Sequence, residues 1–235
     1  MKSELICGNS LDEIKNIQSN QFDLIILDPD YQDWAKICDT DFFSEVFRTL
    51  KTTGNVLCFT KQPFDQQLRN HVDTWFRREF IWSFTNGGAW VSNRMPLVSY
   101  QKIYWLTKTK DFYINVRTGI DYPETTKSFK RSKKQFGGWA AEGRQFEKSD
   151  QGTWVRDHYH FNKPHTGAVP SKPFELMRIL LNCFTPENGY VFDPFFGSGV
   201  TGDVAEKIGR NILGIEINPE RFDSVVRNAE CKGGK

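Results

Sequence analysis

The sequence predicts a doubly wound α/β fold: a mostly parallel sheet with an antiparallel edge, helices on both faces, and a basic, irregular insert. Three observations predict it. The apolar run at 22–27 shows no polar alternation, as expected of a strand buried on both faces in a parallel sheet. Strand-like runs of this kind alternate with helical periodicities at both ends of the chain. Between Lys108 and Lys163 the periodicity dissolves and positive charge accumulates, with twelve Lys or Arg against seven Asp or Glu, although the whole chain carries only +2.

Taken in order, Leu5-Ile6-Cys7 is a short strand, and Gly8-Asn9-Ser10 turns into a helix with Leu11, Ile14 and Ile17 at helical spacing. The strand at 22–27 ends abruptly at Asp28-Pro29. A helix follows at 41–51, with Phe42, Phe43, Val46, Phe47 and Leu50 on one side, then a strand at 56–59 and a helix from Pro63 to about Trp75. The runs 80–84 and 103–106 read as strands joined by an Asn- and Gly-containing loop, and so as antiparallel neighbours rather than a crossover pair. Regular α/β rhythm resumes at Lys172-Pro173 with a helix at 174–183, a strand at 190–193, a helix at 200–208, a strand at 212–217 and a last helix from Pro219.

A chain of 235 residues suits one large domain carrying an insertion. It contains no apolar run long enough to span a bilayer and starts with a polar Met1-Lys2-Ser3-Glu4, so a soluble, cytoplasmic protein with no membrane partner is expected. Its five scattered cysteines fit free thiols, mostly buried, rather than a disulfide framework or zinc site. His158, His160 and His165 have no companion cysteine or carboxylate at ligand spacing, so no metal is expected.

Chemistry is concentrated in two motifs at opposite ends of the chain. In Asp193-Pro194-Phe195-Phe196-Gly197-Ser198-Gly199, a strand runs through a tight glycine turn into a helix, and such a turn aims backbone N–H groups and a positive helix end at a ligand. Glu216, with Asn218 close behind, ends the next strand about 20 residues on, the spacing at which α/β nucleotide sites place a carboxylate on ribose hydroxyls. Residues 197–202 also satisfy the Gly-x-Gly-x-x-Gly pattern of nicotinamide enzymes, so the residues before the glycines must decide between the two.

Asp193-Pro194-Phe195-Phe196-Gly197-Ser198-Gly199 resembles the S-adenosylmethionine motif of DNA amino-methyltransferases. Pro170-Ser171-Lys172-Pro173 resembles that family's Lys-Pro motif, and Asp28-Pro29-Asp30-Tyr31 its catalytic Asp-Pro-Pro-Tyr. The catalytic motif comes first and the cofactor motif last, as in the permuted β-type arrangement. The resemblance implies a Rossmann-like methyltransferase fold with S-adenosylmethionine as cofactor. Lys172 would meet the methionine carboxylate, Asp193, Phe195, Gly197 and Gly199 would line the pocket, and Asn9 and Ser10 would lie at the cofactor adenine. Asp28 and the Pro29 carbonyl would accept the two hydrogens of an exocyclic amine, whose lone pair is otherwise delocalised into the base, and Tyr31 would stack on a base rotated out of its helix. Asp30 departs from the family's proline, and a second carboxylate there can weaken Asp28 as an acceptor.

The resemblance further divides the chain into a catalytic half (1–84), a target-recognition insert (85–168) and a cofactor half (169–235) of one domain. In the insert, Lys127, Lys130, Arg131, Lys133 and Lys134 suit phosphates, and Asn93 and Arg94 suit base edges. The expected activity is N6-methylation of a flipped adenine in double-stranded DNA. Adenine is favoured because the family's adenine enzymes usually open this motif with Asp and its N4-cytosine enzymes with Ser. N4-cytosine methylation, an inactive DNA-binding relative disabled by Asp30, and an RNA or small-molecule methyltransferase remain as alternatives. A homodimer, a partner restriction endonuclease and a prokaryotic or viral source are compatible with the resemblance.

Overall fold

The computed structural model describes residues 2–86, 96–117, 155–164 and 170–233, with side chains as far as 228. Asn93, Arg94, Lys127, Lys130, Arg131, Lys133, Lys134 and His165 lie outside the described residues. The strands are β1 (Ser3–Cys7), β2 (Phe22–Leu27), β3 (Leu50–Thr60), β4 (Phe76–Ser83), β5 (Tyr100–Thr107), β6 (His158–His160), β7 (Tyr190–Asp193) and β8 (Asn211–Glu216). They form one sheet in the order β1-β8-β7-β2-β3-β5-β4-β6. The first five in that order are mutually parallel; β5 runs antiparallel between β3 and β4, and β6 closes the edge parallel to β4.

Among the described residues, seven α-helices accompany the sheet: α1 (Ser10–Glu13), α2 (Trp34–Cys38), α3 (Phe42–Thr49), α4 (Phe64–His71), α5 (Phe174–Phe184), α6 (Val200–Lys207) and α7 (Pro219–Gly233). Alternate strand residues feed two cores. Leu24, Ile26, Leu57, Phe59, Val191 and Ile212 face α5 and α6, whereas Ile25, Leu27, Val56, Cys58, Phe192 and Leu213 face α2, α3 and α4. This is the period-2 geometry of strands, and it explains why the sequence runs are apolar without alternation.

The expected elements are present, with local differences. The helix after β1 is split into α1 and a 3₁₀ turn at Ile14–Asn16, yet Ile14 is still fully buried. β3 begins six residues before the predicted strand, because Leu50 already pairs with Phe22. α2 was not expected; its Trp34 is buried and donates its indole N–H to the Phe59 carbonyl at 3.2 Å. β6 also falls where no periodicity was read. Three residues are too few to show a pattern, and the strand is held by pairing with β4 and by burial of Tyr159. Cys38, Cys58 and Cys183 are buried free thiols, whereas Cys7 is exposed.

Packing at the carboxyl end of β8 depends on two glycines. A Cβ on Gly214 would lie 2.4 Å from the Phe196 ring and 2.8 Å from Leu5, and one on Gly202 would lie 2.7 Å from the same ring. Gly202 therefore completes the Gly-x-Gly-x-x-Gly pattern for a packing reason: it makes room for Phe196. Gly214→Ala should overpack this contact and lower unfolding stability by about 1–3 kcal/mol. Urea denaturation of the two proteins checks this, and an unchanged midpoint would show that Phe196 relocates at no cost.

Candidate active site

Because β4 and β6 run parallel to β3 and β5 antiparallel, the carboxyl ends of seven strands and the amino end of β5 share one edge of the sheet. Open α/β sheets bind ligands at this edge. A cleft of about 710 Å³ lies there, and Asp28, Pro29, Asp30, Tyr31, Asn9, Ser10, Lys172, Asp193, Phe195, Gly197 and Glu216 all line it. Residues at the two ends of the chain thus meet because β2 pairs with β7, Leu24 opposite Val191 and Ile25 opposite Phe192. Gly199 and Asn218 do not line the cleft. Gly199 takes a left-handed conformation (φ +82°) as the N-cap of α6, and Asn218 accepts the Arg221 N–H at the start of α7.

On the β7–β8 side, Glu216 is buried, with one carboxylate oxygen accepting the Gly197 N–H at 2.8 Å and the other the Asn218 N–H at 2.9 Å. Each oxygen keeps a second lone pair for a ligand hydroxyl. Ile217, 66% exposed, offers an apolar surface at the rim. The Ser10 hydroxyl donates to the Pro194 carbonyl and so ties the β1–α1 turn to the glycine motif, while Asn9 caps α1 by accepting the Leu11 N–H at 3.1 Å. Asp193 is 3% exposed and accepts the Phe195 N–H at 3.0 Å. Burial is the main cause that pushes its carboxyl up to about 7; hydrogen bonds from Thr201 and Phe195 oppose the shift, Asp28 adds to it and Lys172 opposes it.

On the β2 side, Lys172 forms a hydrogen-bonded ion pair with Asp28 and lies 3.5 Å from the Tyr31 hydroxyl. Three rings surround its ammonium: Phe59 at 4.9 Å, Tyr31 at 5.8 Å and Trp82 at 6.0 Å. The Tyr31 hydroxyl donates to the Gln101 side-chain oxygen at 2.8 Å and lies 3.4 Å from Asp28. Burial, then the neighbouring carboxylates Asp28 and Asp30, hold the phenol well above its usual pKa, so it stays a proton donor. Gln101, at the start of β5, is a site residue that no sequence motif marks. Lys61 could have been found, because it directly follows a parallel strand.

Asp30 is exposed, and its carboxylate accepts the Gln32 side-chain N–H at 3.3 Å. Its backbone (φ −58°, ψ 126°) already has the φ that a proline ring imposes. No group of three or more metal-ligating side chains occurs among the described residues, and no helix there is long and apolar enough to cross a membrane.

The family model described as DNA methylase, of the N6/N4 type, matches residues 16–227. The chain belongs to the N6/N4 DNA methyltransferase family. It is 27% identical over 250 residues to the type II methyltransferase M.HpaI of Haemophilus parainfluenzae, covering 95% of this chain and 73% of that protein. Among solved structures it resembles the M1.HpyAVI–SAM complex, with a TM-score of 0.64 at 16% identity, covering 96% of this chain and 98% of the other. It also resembles the cytosine-N4-specific PvuII DNA methyltransferase, with a TM-score of 0.70 at 16% identity, covering 96% and 86%. These two likenesses match the fold of this methyltransferase, sheet and helices together.

Two predictions follow from the site of this family member. A carboxyl whose folded pKa lies above its unfolded value holds its proton longer in the native state, so stability falls as pH rises from about 4 to about 7 and then levels. Asp193→Asn should remove that slope. Urea unfolding from pH 4 to 8 should therefore show the variant's advantage over wild type growing up to about pH 7, and a difference that does not vary with pH would refute this. Asp30→Pro should fold with stability within ~1 kcal/mol of wild type, measured in the same way, because the backbone needs no change.

Proposed function

We propose that this chain transfers the methyl group of S-adenosylmethionine to the exocyclic N6 of an adenine flipped out of double-stranded DNA. The observation that carries the reading is the convergence of Asp28, Tyr31 and Lys172 with Asp193 and Glu216 in one cleft. Its volume lies within the range of sites that enclose a drug-sized ligand. S-adenosylmethionine is the methyl donor of the reading: Glu216 takes the ribose hydroxyls, Ile217 and Phe195 offer apolar walls to the adenine ring, and Asp193 lies where ionised carboxylate meets the cationic methionine end. Asn9, Ser10, Gly197, Gly199 and Asn218 shape or support that pocket. Bound donor supplies an electrophilic methyl on a sulfonium.

The residues of this chain prepare the other reactant. Asp28 and the Pro29 carbonyl accept the amine hydrogens and turn the nitrogen lone pair toward the methyl carbon. Transfer would form the N–C bond at the expense of the donor's S–C bond, and Asp28 would accept the surplus amine proton and pass it to solvent. Tyr31, fixed at its hydroxyl by Gln101, presents its ring to the base. In the structure Asp28 and Lys172 satisfy each other. Lys172 would hold the cofactor carboxylate, and a Lys172 ammonium so engaged would leave Asp28 for the amine.

Adenine is preferred on the Asp that opens the catalytic motif; the fold likeness to the cytosine-N4-specific PvuII enzyme makes N4-cytosine the second reading. Asp30, turned to solvent and engaged by Gln32, leaves Asp28 able to act. Residues 85–168, with Asn93, Arg94, Lys127, Lys130, Arg131, Lys133 and Lys134, are the target-recognition part of this reading, between the catalytic half (1–84) and the cofactor half (169–235). The test is to incubate the protein with methyl-labelled S-adenosylmethionine and mixed duplex DNA, digest to nucleosides and identify the product by mass. N6-methyldeoxyadenosine is expected, with a rate at least ~10²-fold lower for Asp28→Ala. N4-methyldeoxycytidine would transfer the same mechanism to the other base, and cofactor binding with no methylated nucleoside would reject the reading.

A further inference from the structure

Two lysines that the mechanism does not use stand near Lys172: Lys61 lines the cleft, and Lys163 is close enough to feel the charges of Lys61 and Lys172. Lys61 follows the last residue of β3, and its ammonium lies 5.2 Å from the centre of the Tyr31 ring. Lys163 follows β6 by three residues, and its ammonium lies 4.1 Å from the centre of the Phe84 ring. Both side chains are half-buried. The segment carrying Lys163 is pinned: its N–H donates to the Asn86 side-chain oxygen at 2.9 Å, and its carbonyl accepts the Asn86 side-chain N–H at 2.9 Å. Lys163 is thus set on a frame rather than on a free loop.

The charges that bear on Lys163 are of one sign. Lys163 is perturbed by burial first, then by Lys61 and Lys172, all three lowering its pKa, and no carboxylate appears among the causes. Among the described residues, neither Lys61 nor Lys163 forms an ion pair, and the third cation, Lys172, is matched by Asp28. Partial burial of like charges costs free energy, and ring faces return only a fraction of it. An anion at the mouth of the cleft would offset the rest.

We infer that Lys61 and Lys163 form a clamp for the phosphodiesters flanking the extruded nucleotide. This rests on the nucleic-acid reading of the same cleft. The sheet order decides which anion is meant. Glu216 and the glycine turn lie at β8 and β7, on one side of β2, whereas Lys61 and Lys163 lie at β3 and β6, on the other. A base seated at Asp28 and Tyr31 must trail its own phosphates toward solvent on that second side. The cofactor carboxylate is assigned to Lys172, which leaves Lys61 and Lys163 for the phosphates, and cofactor affinity in the variants separates the two anions.

The test is binding of a fluorescent mixed-sequence duplex between 50 and 200 mM salt by wild type, Lys61→Gln, Lys163→Gln and the double variant. Lys2→Gln, at the opposite end of the sheet, is the charge control, and calorimetry with S-adenosylmethionine checks the cofactor site. The slope of log K against log salt should shrink by about 0.9 for each single variant and about 1.8 for the double. Cofactor affinity should stay within about twofold, showing intact folding, and Lys2→Gln should leave the slope unchanged. An unchanged slope in the double variant, or a parallel loss of cofactor binding, overturns the clamp. Absence of salt-dependent duplex binding by wild type itself overturns the DNA reading and the clamp together, and is told apart because it needs no variant.

Discussion

The pairing of β2 with β7 is the contact on which the site depends. Asp28 and Asp193 end adjacent strands only because residues 24–25 and 191–192 share a ladder, and the same contact is reinforced where the Tyr190 N–H donates to Asp23 at 2.8 Å. Asp23 is held in turn by Lys51 at 2.8 Å, so one partly buried carboxylate ties β2, β3 and β7 together at the end of the sheet remote from the cleft. A second polar tie is Asn55, fully buried in β3. Its amide donates to the Tyr113 and Phe184 carbonyls, and its oxygen accepts the Trp105 indole N–H. With every group satisfied, such residues add register without leaving an orphaned donor.

Within the cleft, the fold treats its carboxylates in different ways. Glu216 and Asp193 are both buried carboxylates near strand ends, yet they are set up differently. Glu216 accepts two backbone N–H groups, while desolvation dominates at Asp193 and favours its neutral form until about pH 7. One carboxylate is held by backbone N–H groups and keeps free lone pairs toward the cleft. The other gains most from a cationic ligand, which would repay its ionisation. The Asp28–Lys172 pair completes the pattern, since these two groups neutralise each other within the cleft.

Much of the architecture was legible in advance because it is written in local patterns. Apolar runs bounded by Asp-Pro and glycine turns marked β2, β7 and β8, and helical spacing marked α3, α5 and α6. Residues 193–199, 170–173 and 28–31 stood out as family resemblances for the same reason: each is a contiguous run, and the structure brings all three to one cleft. What local pattern does not carry was missed. β6 is three residues long, α2 is a single short helix, and Gln101 is an ordinary strand residue until β5 places its amide oxygen against the Tyr31 hydroxyl.

The sequence alone determined the fold class, the buried strands, the two motifs and the family resemblance, because hydrophobic period and turn chemistry act over a few residues. Tertiary structure decided the rest. It determined that the two halves meet at β2 and β7, and that Lys172 reaches Asp28 across 144 residues. It also determined that Gly202 serves Phe196 and that Asp30 points to solvent. Each of these is a distance between residues remote in the chain, or a side chain's choice between core and solvent, and only the assembled sheet sets either.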